Sequence, residues 1–140
     1  MTINEFEAKA FEMAKKCGEC VLSSITEEGY PRSCMLSMLN PENYYTMYFS
    51  TGLDGVKTRQ FRKNSKASVC YVVGNDSVTL VGDVDFVTDI ETKKKCWSDW
   101  MFEYFPGGPA TEEFCVLRFV GKEATFWIEH EFLRDEPVKK

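Results

Sequence analysis

The chain has 140 residues, 44% of them hydrophobic and 28% charged, with a formal net charge of -5. That length and balance fit one domain over 1–140 with a core of its own, and no apolar run approaches the ~18 residues of a membrane span. Net acidity, with no aromatic residues interleaved in the one basic segment, argues against a nucleic-acid partner, and the charged amphipathic start is unlike an export signal, so cytoplasmic residence is expected.

Thr2-Ile3-Asn4-Glu5 has the form of a capping box, and Phe6, Ala10, Met13 and Ala14 recur at helical spacing. The pattern predicts an amphipathic helix over 3–16, closed by Gly18. Cys17-Gly18-Glu19-Cys20 has ligand spacing, but a structural zinc needs two more ligands and no second close pair exists. A redox pair sits where a helix begins; this one follows a helix and precedes a strand, so it reads as coincidental. The six cysteines fall largely in apolar strands, where cysteine packs as a small hydrophobe. No metal site and no disulfide framework are expected.

Strands are predicted over 20–26 and 31–39, joined by the tight turn Glu27-Glu28-Gly29-Tyr30. After Asn40-Pro41-Glu42-Asn43 comes an aromatic-rich strand over 44–50. Tyr44, Tyr45, Tyr48 and Phe49 read as packing residues, as do Met35 and Met38.

The most informative stretch is Tyr48-Phe49-Ser50-Thr51-Gly52-Leu53-Asp54-Gly55-Val56-Lys57. An apolar strand ends in two hydroxyls, a glycine-containing loop follows, and a helix over 55–63 starts with a lysine in its first turn. Helix-start N–H groups, a positive dipole end, hydroxyls and an ammonium together suit a phosphate. The plainer alternative is a loop that only joins a strand to a helix. Charge favours the phosphate: Lys57, Arg59, Arg62, Lys63 and Lys66 are basic and no acidic residue interrupts them. Nothing else in the sequence resembles a nucleophile or an acid–base pair, so a phosphorylated cofactor is the expected source of any chemistry. His130, the sole histidine, could serve as an acid–base group or a haem ligand. Beside Glu129 and Glu131 it reads instead as a surface residue.

Further strands are predicted over 66–73 and 77–87, the second with Val78, Leu80, Gly82, Val84 and Phe86 in alternation. Thr88-Asp89-Ile90-Glu91 reads as a second capping box. It opens a helix with Ile90, Lys94, Trp97, Met101 and Tyr104 on one face, ended by Pro106-Gly107-Gly108-Pro109. A final hairpin is predicted over 114–120 and 123–129, turning at Gly121-Lys122, with a polar, flexible tail over 134–140. Sequential antiparallel strands of this kind predict a mainly β fold, a six- to seven-stranded antiparallel barrel with flanking helices.

Four places carry a family resemblance over most of the chain. They are Gly29-Tyr30-Pro31-Arg32; Tyr48-Phe49-Ser50-Thr51 with Lys57; Asn64-Ser65-Lys66-Ala67-Ser68-Val69; and Trp97, Trp100 and Tyr104-Phe105-Pro106-Gly107-Gly108 with Cys115-Val116-Leu117-Arg118-Phe119. Their order resembles the FMN-binding split-barrel family related to pyridoxamine 5′-phosphate oxidase, in its general stress protein 26-like branch. The resemblance implies a homodimer with FMN in two symmetric clefts between protomers, since a small barrel alone has no deep pocket for a three-ring cofactor. It implies that Ser50 and Thr51 bond the phosphate and ribityl chain beside Phe49, and that Lys57 pairs with the phosphate. Arg32, Ser33, Cys34, Met35 and Leu36 would line the ring edge, Ser77 would reach it more weakly, and Trp97 or Trp100 would approach across the interface. Many relatives carry arginine where Cys34 stands. Arg32 shares its strand face and could substitute in part, at the cost of one bidentate phosphate contact. The C-terminal segment that completes the active site of the true oxidases has no counterpart, so that activity is not expected. The resemblance points to a flavin-dependent oxidoreductase acting on an unidentified small molecule, with no catalytic side chain of its own. A non-catalytic flavin-binding or stress-related module, and a degenerate barrel without flavin, stand as alternatives. FAD or a deazaflavin could replace FMN.

Overall fold

The structure is a computed structural model and describes residues 1–137. Helix α1 (Ile3–Cys17) begins at the expected box: the Thr2 hydroxyl accepts from the Glu5 N–H at 3.2 Å. Its apolar face buries Phe6, Ala10, Met13 and Ala14, and Gly18 ends it at φ 67°. A residue with a Cβ is strained in that left-handed region, which is why glycine closes the helix.

Seven strands form one antiparallel sheet: β1 (Glu19–Ile25), β2 (Pro31–Ser37), β3 (Thr46–Gly52), β4 (Lys66–Val73), β5 (Asp76–Val87), β6 (Phe114–Ile128) and β7 (Glu131–Asp135). The spatial order is β2-β1-β4-β5-β6-β3, with β7 added to β6. The two edges of this order meet at one point. Leu39, just past β2, exchanges both main-chain hydrogen bonds with Tyr48 of β3, at 2.8 and 3.0 Å. The sheet is thus a barrel, closed at Leu39–Tyr48 and split beyond it. Helix α2 (Val56–Lys63) lies at the split, with Thr58 and Phe61 buried and Gln60 tied to Ser24 of β1.

The barrel interior is filled by Phe49, Val69, Tyr71, Leu80, Phe119 and Phe126 beneath α1. A second apolar cluster, Tyr48, Cys96, Met101, Phe114 and Val116, packs under the segment between β5 and β6. That segment departs from the sequence reading. The helix expected to run to Tyr104 stops early as α3 (Ile90–Lys95), and a separate 3-10 turn spans Asp99–Glu103. Packing overrides periodicity here: Met101 is fully enclosed, and Trp97 stands edge-on to Phe102 and Phe114 at 4.8 and 5.0 Å. The cap of α3 is Asp89, not Thr88; its carboxylate accepts from the Thr92 N–H at 3.0 Å and the Thr92 hydroxyl at 2.6 Å.

The hairpin expected at Gly121-Lys122 does not exist. β6 runs unbroken through it, and Gly121 lies opposite Gly82 where the register of β5 slips. A Cβ on Gly82 would meet the Val120 carbonyl oxygen at 2.1 Å. These glycines permit a bend in a continuous strand rather than a reversal. The reversal occurs at Glu129-His130, both in the left-handed region at φ 53° and 65°. The strand that follows absorbs Arg134 and Asp135, which were expected in the flexible tail. Asp135 is buried and accepts from the Tyr44 hydroxyl at 2.6 Å. Residues 138–140 of the expected tail lie outside the described residues. Among the described residues, no helix is long and apolar enough to cross a membrane.

Candidate functional site

The residues best suited to an anion lie on β2 and on the loop and helix that follow β3, the two edges of the split. β2 carries Arg32 along one edge of the split, and α2 follows β3 from the other edge. Arg32 stands directly opposite Ser24, so the two side chains share a face of the sheet. Ser24 is buried and its hydroxyl donates to the Gln60 side-chain oxygen of α2. The Arg32 guanidinium therefore lies on the face that α2 covers. Its Nη1 is enclosed and has no hydrogen-bond partner. A buried, cationic donor without an acceptor is costly, and an anion would satisfy it.

Across the split, the loop from β3 into α2 is fixed by its own hydroxyls. Thr58 Oγ1 donates to the Gly52 carbonyl at 2.5 Å, and the Thr51 and Thr58 hydroxyls lie 3.2 Å apart. Since the Thr58 proton is committed to Gly52, Thr51 donates to Thr58. Thr51 thus shapes the loop with a hydroxyl already in use. Gly55 caps α2 without a side-chain bond, and the first helical bond runs from the Arg59 N–H to the Gly55 carbonyl at 3.1 Å. The N–H groups of Val56, Lys57 and Thr58 precede it and have no partner within the helix. No acidic residue occupies the first turn. Lys57 is half-buried and makes no ion pair or hydrogen bond among the described residues.

The remaining expected residues fall in three other places. Phe49 is fully enclosed in the barrel core, so its ring cannot touch a ligand. Ser50 points to the opposite side of β3 from Thr51, beside Val116 of the second cluster. Trp97 belongs to that cluster and packs on Phe114, which pairs with Gly52; Trp100 is exposed. Cys34 shares the inner face with Arg32, and its thiol donates to the Leu22 carbonyl at 3.7 Å. Ser33, Met35 and Ser77 lie on the outer face of the sheet. The Ser33 hydroxyl bonds that of Ser23 at 2.8 Å, and Met35 is 69% exposed. Ser77 is opposite Val72 and Trp127, at the far end of β5 from the residues that neighbour Thr51. Within one chain, then, Arg32 lies on the face that α2 covers and Thr51 and Lys57 flank the loop into α2, whereas Ser33, Met35 and Ser77 lie on the outer face.

Cysteine chemistry is disfavoured at four positions. Burial pushes the Cys20 thiol up to about 12 and the Cys96 thiol up to about 11, and raises Cys17 and Cys115. Thiolates, the reactive form, are scarce at neutral pH under those conditions. His130 is exposed in the β6–β7 turn with its ring edge-on to Trp127 at 6.1 Å, far from the split. Among the described residues no group of three or more His, Cys, Asp or Glu side chains is placed to hold a metal ion. Sequence reasoning missed Thr58, Gln60 and Ser24 as builders of the site. The spacing of Thr51 and Thr58 across a glycine loop is the signal that could have found the first; Ser24 and Gln60 meet only through tertiary packing.

Comparison with known proteins fits this architecture. The family model described as pyridoxamine 5′-phosphate oxidase like matches residues 5–133. A search of curated proteins gives no match. Among solved structures, a Clostridium acetobutylicum protein related to general stress protein 26 superposes with a TM-score of 0.83 at 18% identity, covering 99% of each chain. A haem-binding protein from Mycobacterium smegmatis gives 0.76 at 14% identity, over 91% of this chain and 56% of that one. A pyridoxamine 5′-phosphate oxidase-related, FMN-binding protein from Nostoc punctiforme gives 0.63 at 14% identity, over 92% and 93%. At these identities the structural matches speak to the split-barrel fold, and the family model speaks to descent. The chain belongs to the pyridoxamine 5′-phosphate oxidase-like family.

Proposed function

We propose that this chain binds FMN, with the phosphate held at the split between β2 and β3, and acts as a flavin-dependent oxidoreductase on a small molecule. The observation that carries the reading is the buried, unpartnered Nη1 of Arg32, on the sheet face that the uncapped helix α2 covers. The residues present fit a phosphate monoester: Arg32 offers a charge-assisted donor, Lys57 a second cation, and Val56 and Lys57 main-chain N–H groups. Thr51 and Thr58 hold the loop in the shape that exposes those donors. Bound FMN would supply hydride or single-electron transfer; the chain's own residues bind and orient it. Family membership and the FMN-binding neighbour support the same cofactor.

The reading includes a second copy of the chain. Val72, Ser77, Trp127 and Phe132 are successive cross-strand neighbours, so they form one row on the outer face. Met35, Val21 and Cys70 form a parallel row on that face. Trp127 is 41% exposed and Phe132 60%, unusual for large apolar side chains that face water together. A homodimer through this face would cover both rows. It would also give Ser33, Met35 and Ser77 a place in the flavin cleft, contributed from the outer face rather than from the split.

Lys57→Ala tests the cradle. Loss of one charge-assisted contact is worth about 1.5–3 kcal/mol, so FMN affinity measured by flavin fluorescence is expected to fall roughly ten- to a hundredfold. The variant should remain folded and unchanged in oligomeric state. Unaltered affinity would put the phosphate elsewhere.

A further inference from the structure

The arginines of this chain divide into two groups. Arg118 forms a two-pronged bond to Asp85, and Arg134 pairs with Glu123. The other three, Arg32, Arg59 and Arg62, have no carboxylate partner among the described residues, and all lie on or beside α2. In a chain of net charge -5, where carboxylates are plentiful, leaving three guanidinium groups unpaired in one region keeps a positive field there. Arg32 belongs to the phosphate cradle. Arg59 and Arg62 face a different space.

A cleft of about 770 Å³ runs between the β1–β2 turn and the side of α2. Its size is ordinary for a nucleotide-sized ligand. Arg32 and Lys57 do not line it, whereas Val56 and Gln60 do, so the cleft adjoins the cradle along the same helix without containing its cations. Val56, Arg59, Gln60 and Lys63 recur at helical spacing and present one face of α2 to the cleft. Arg59 donates only to the main-chain carbonyl of Asp54, at 2.6 Å, and Arg62 lies over the Phe86 ring at 4.6 Å. Both charges remain unneutralised. Lys63 is already paired with Glu27, which leaves Glu28 as the one unpaired carboxylate of the wall.

The neutral groups point the same way. Gln60 accepts from Ser24 through its oxygen and Asn64 accepts from the Lys66 N–H at 3.0 Å, so each retains an NH₂ to donate. The Thr26 hydroxyl oxygen accepts from the Tyr30 N–H at 3.0 Å and keeps its proton. The cleft therefore offers two guanidinium groups, two amide NH₂ groups and a hydroxyl proton, against one free carboxylate. Ile25 and Val56 add an apolar strip. A donor-rich wall with two unneutralised arginines and an apolar strip matches an acceptor-rich ligand with a flat, weakly polar end.

We infer that this cleft binds the nucleoside diphosphate portion of a dinucleotide, with Arg59 and Arg62 on the diphosphate. Two cofactors contain that portion: a flavin dinucleotide and a reduced nicotinamide dinucleotide that would deliver electrons. The inference rests on the flavin reading for the source of the moiety, but binding itself does not require flavin.

ADP is the probe. Titration of the full-length chain with ADP, by calorimetry, is expected to give saturable binding, weakened roughly tenfold or more in Arg59→Ala/Arg62→Ala. Both side chains are exposed, so the thermal midpoint should not move. FMN affinity should fall much less than ADP affinity. Absence of ADP binding at millimolar concentration, or equal binding by the double variant, overturns the inference. If ADP binds and FMN does not, the cradle reading fails while the cleft stands. Two further arms identify the source. A preference for FAD over FMN that the double variant loses assigns the cleft to the flavin. A raised KM for NADPH at constant kcat, with dithionite reduction unaffected, assigns it to the electron donor.

Discussion

On the proposed reading, Arg32 links stability to binding. A guanidinium nitrogen enclosed without an acceptor destabilises the chain by about 1–3 kcal/mol until an anion reaches it. Arg32→Met keeps the length of the stem and removes the charge. It should raise the unfolding free energy of the flavin-free chain by about 1 kcal/mol or more, measured by urea denaturation, while lowering FMN affinity. A destabilised variant would mean that Arg32 has a structural partner instead. Ionisation at alkaline pH gives a second residue-level prediction. Burial first, and the bond to Glu42 second, push the Tyr48 hydroxyl from its ordinary 10 up to about 12, and burial takes the Cys20 thiol from 9 to about 12. The folded chain holds protons that the unfolded chain releases, so the unfolded state binds fewer protons and stability falls with rising pH. The decline should begin near pH 9 and continue through pH 12. Tyr48→Phe should flatten the part between pH 10 and 12; an unaltered slope there would contradict the assignment.

At the scale of elements, the long strand β6 organises the molecule, since it pairs with β3, β5 and β7. Its bend depends on Gly82 opposite Val120 and Gly121. Gly82→Ala forces a Cβ onto a carbonyl oxygen, and the backbone must move; a loss of about 1–3 kcal/mol in unfolding free energy is expected. The turn at Glu129-His130 has the opposite sign, because neither residue suits positive φ. His130→Gly should stabilise by about 1 kcal/mol, read as a higher thermal midpoint. These two places also show where the sequence was legible. Alternation marked Val78 to Phe86 as a strand, and the capping box and helical spacing marked α1, because both signals are local. A glycine within alternating residues reads the same whether it bends a strand or reverses it; only the partner strand decides. So the 121–122 hairpin was expected where a bulge stands, and the true reversal, lacking glycine, left no local mark. The site divides likewise. Lys57 and the glycine loop were visible as a strand–loop–helix pattern, whereas the Arg32 environment requires Ser24, Gln60 and the Leu39–Tyr48 closure.

At the scale of the molecule, two features remain open to a partner: the donors at the split and the apolar outer face of the sheet. The homodimer reading joins them. Trp127→Glu with Phe132→Lys places opposite charges in the outer row and should shift sedimentation from dimer to monomer, with FMN affinity falling in parallel. A monomeric wild type, or a dimer indifferent to both changes, would place the interface elsewhere. The cation-rich helix α2 then stands at the edge of the proposed cofactor cleft, in an otherwise acidic protein. The most direct test of the account is calorimetric titration of FMN into the flavin-free chain, run beside Arg32→Met. The account predicts one FMN per chain for the wild type and affinity at least about tenfold weaker for the variant. No binding by the wild type, or equal binding by the two, would contradict it.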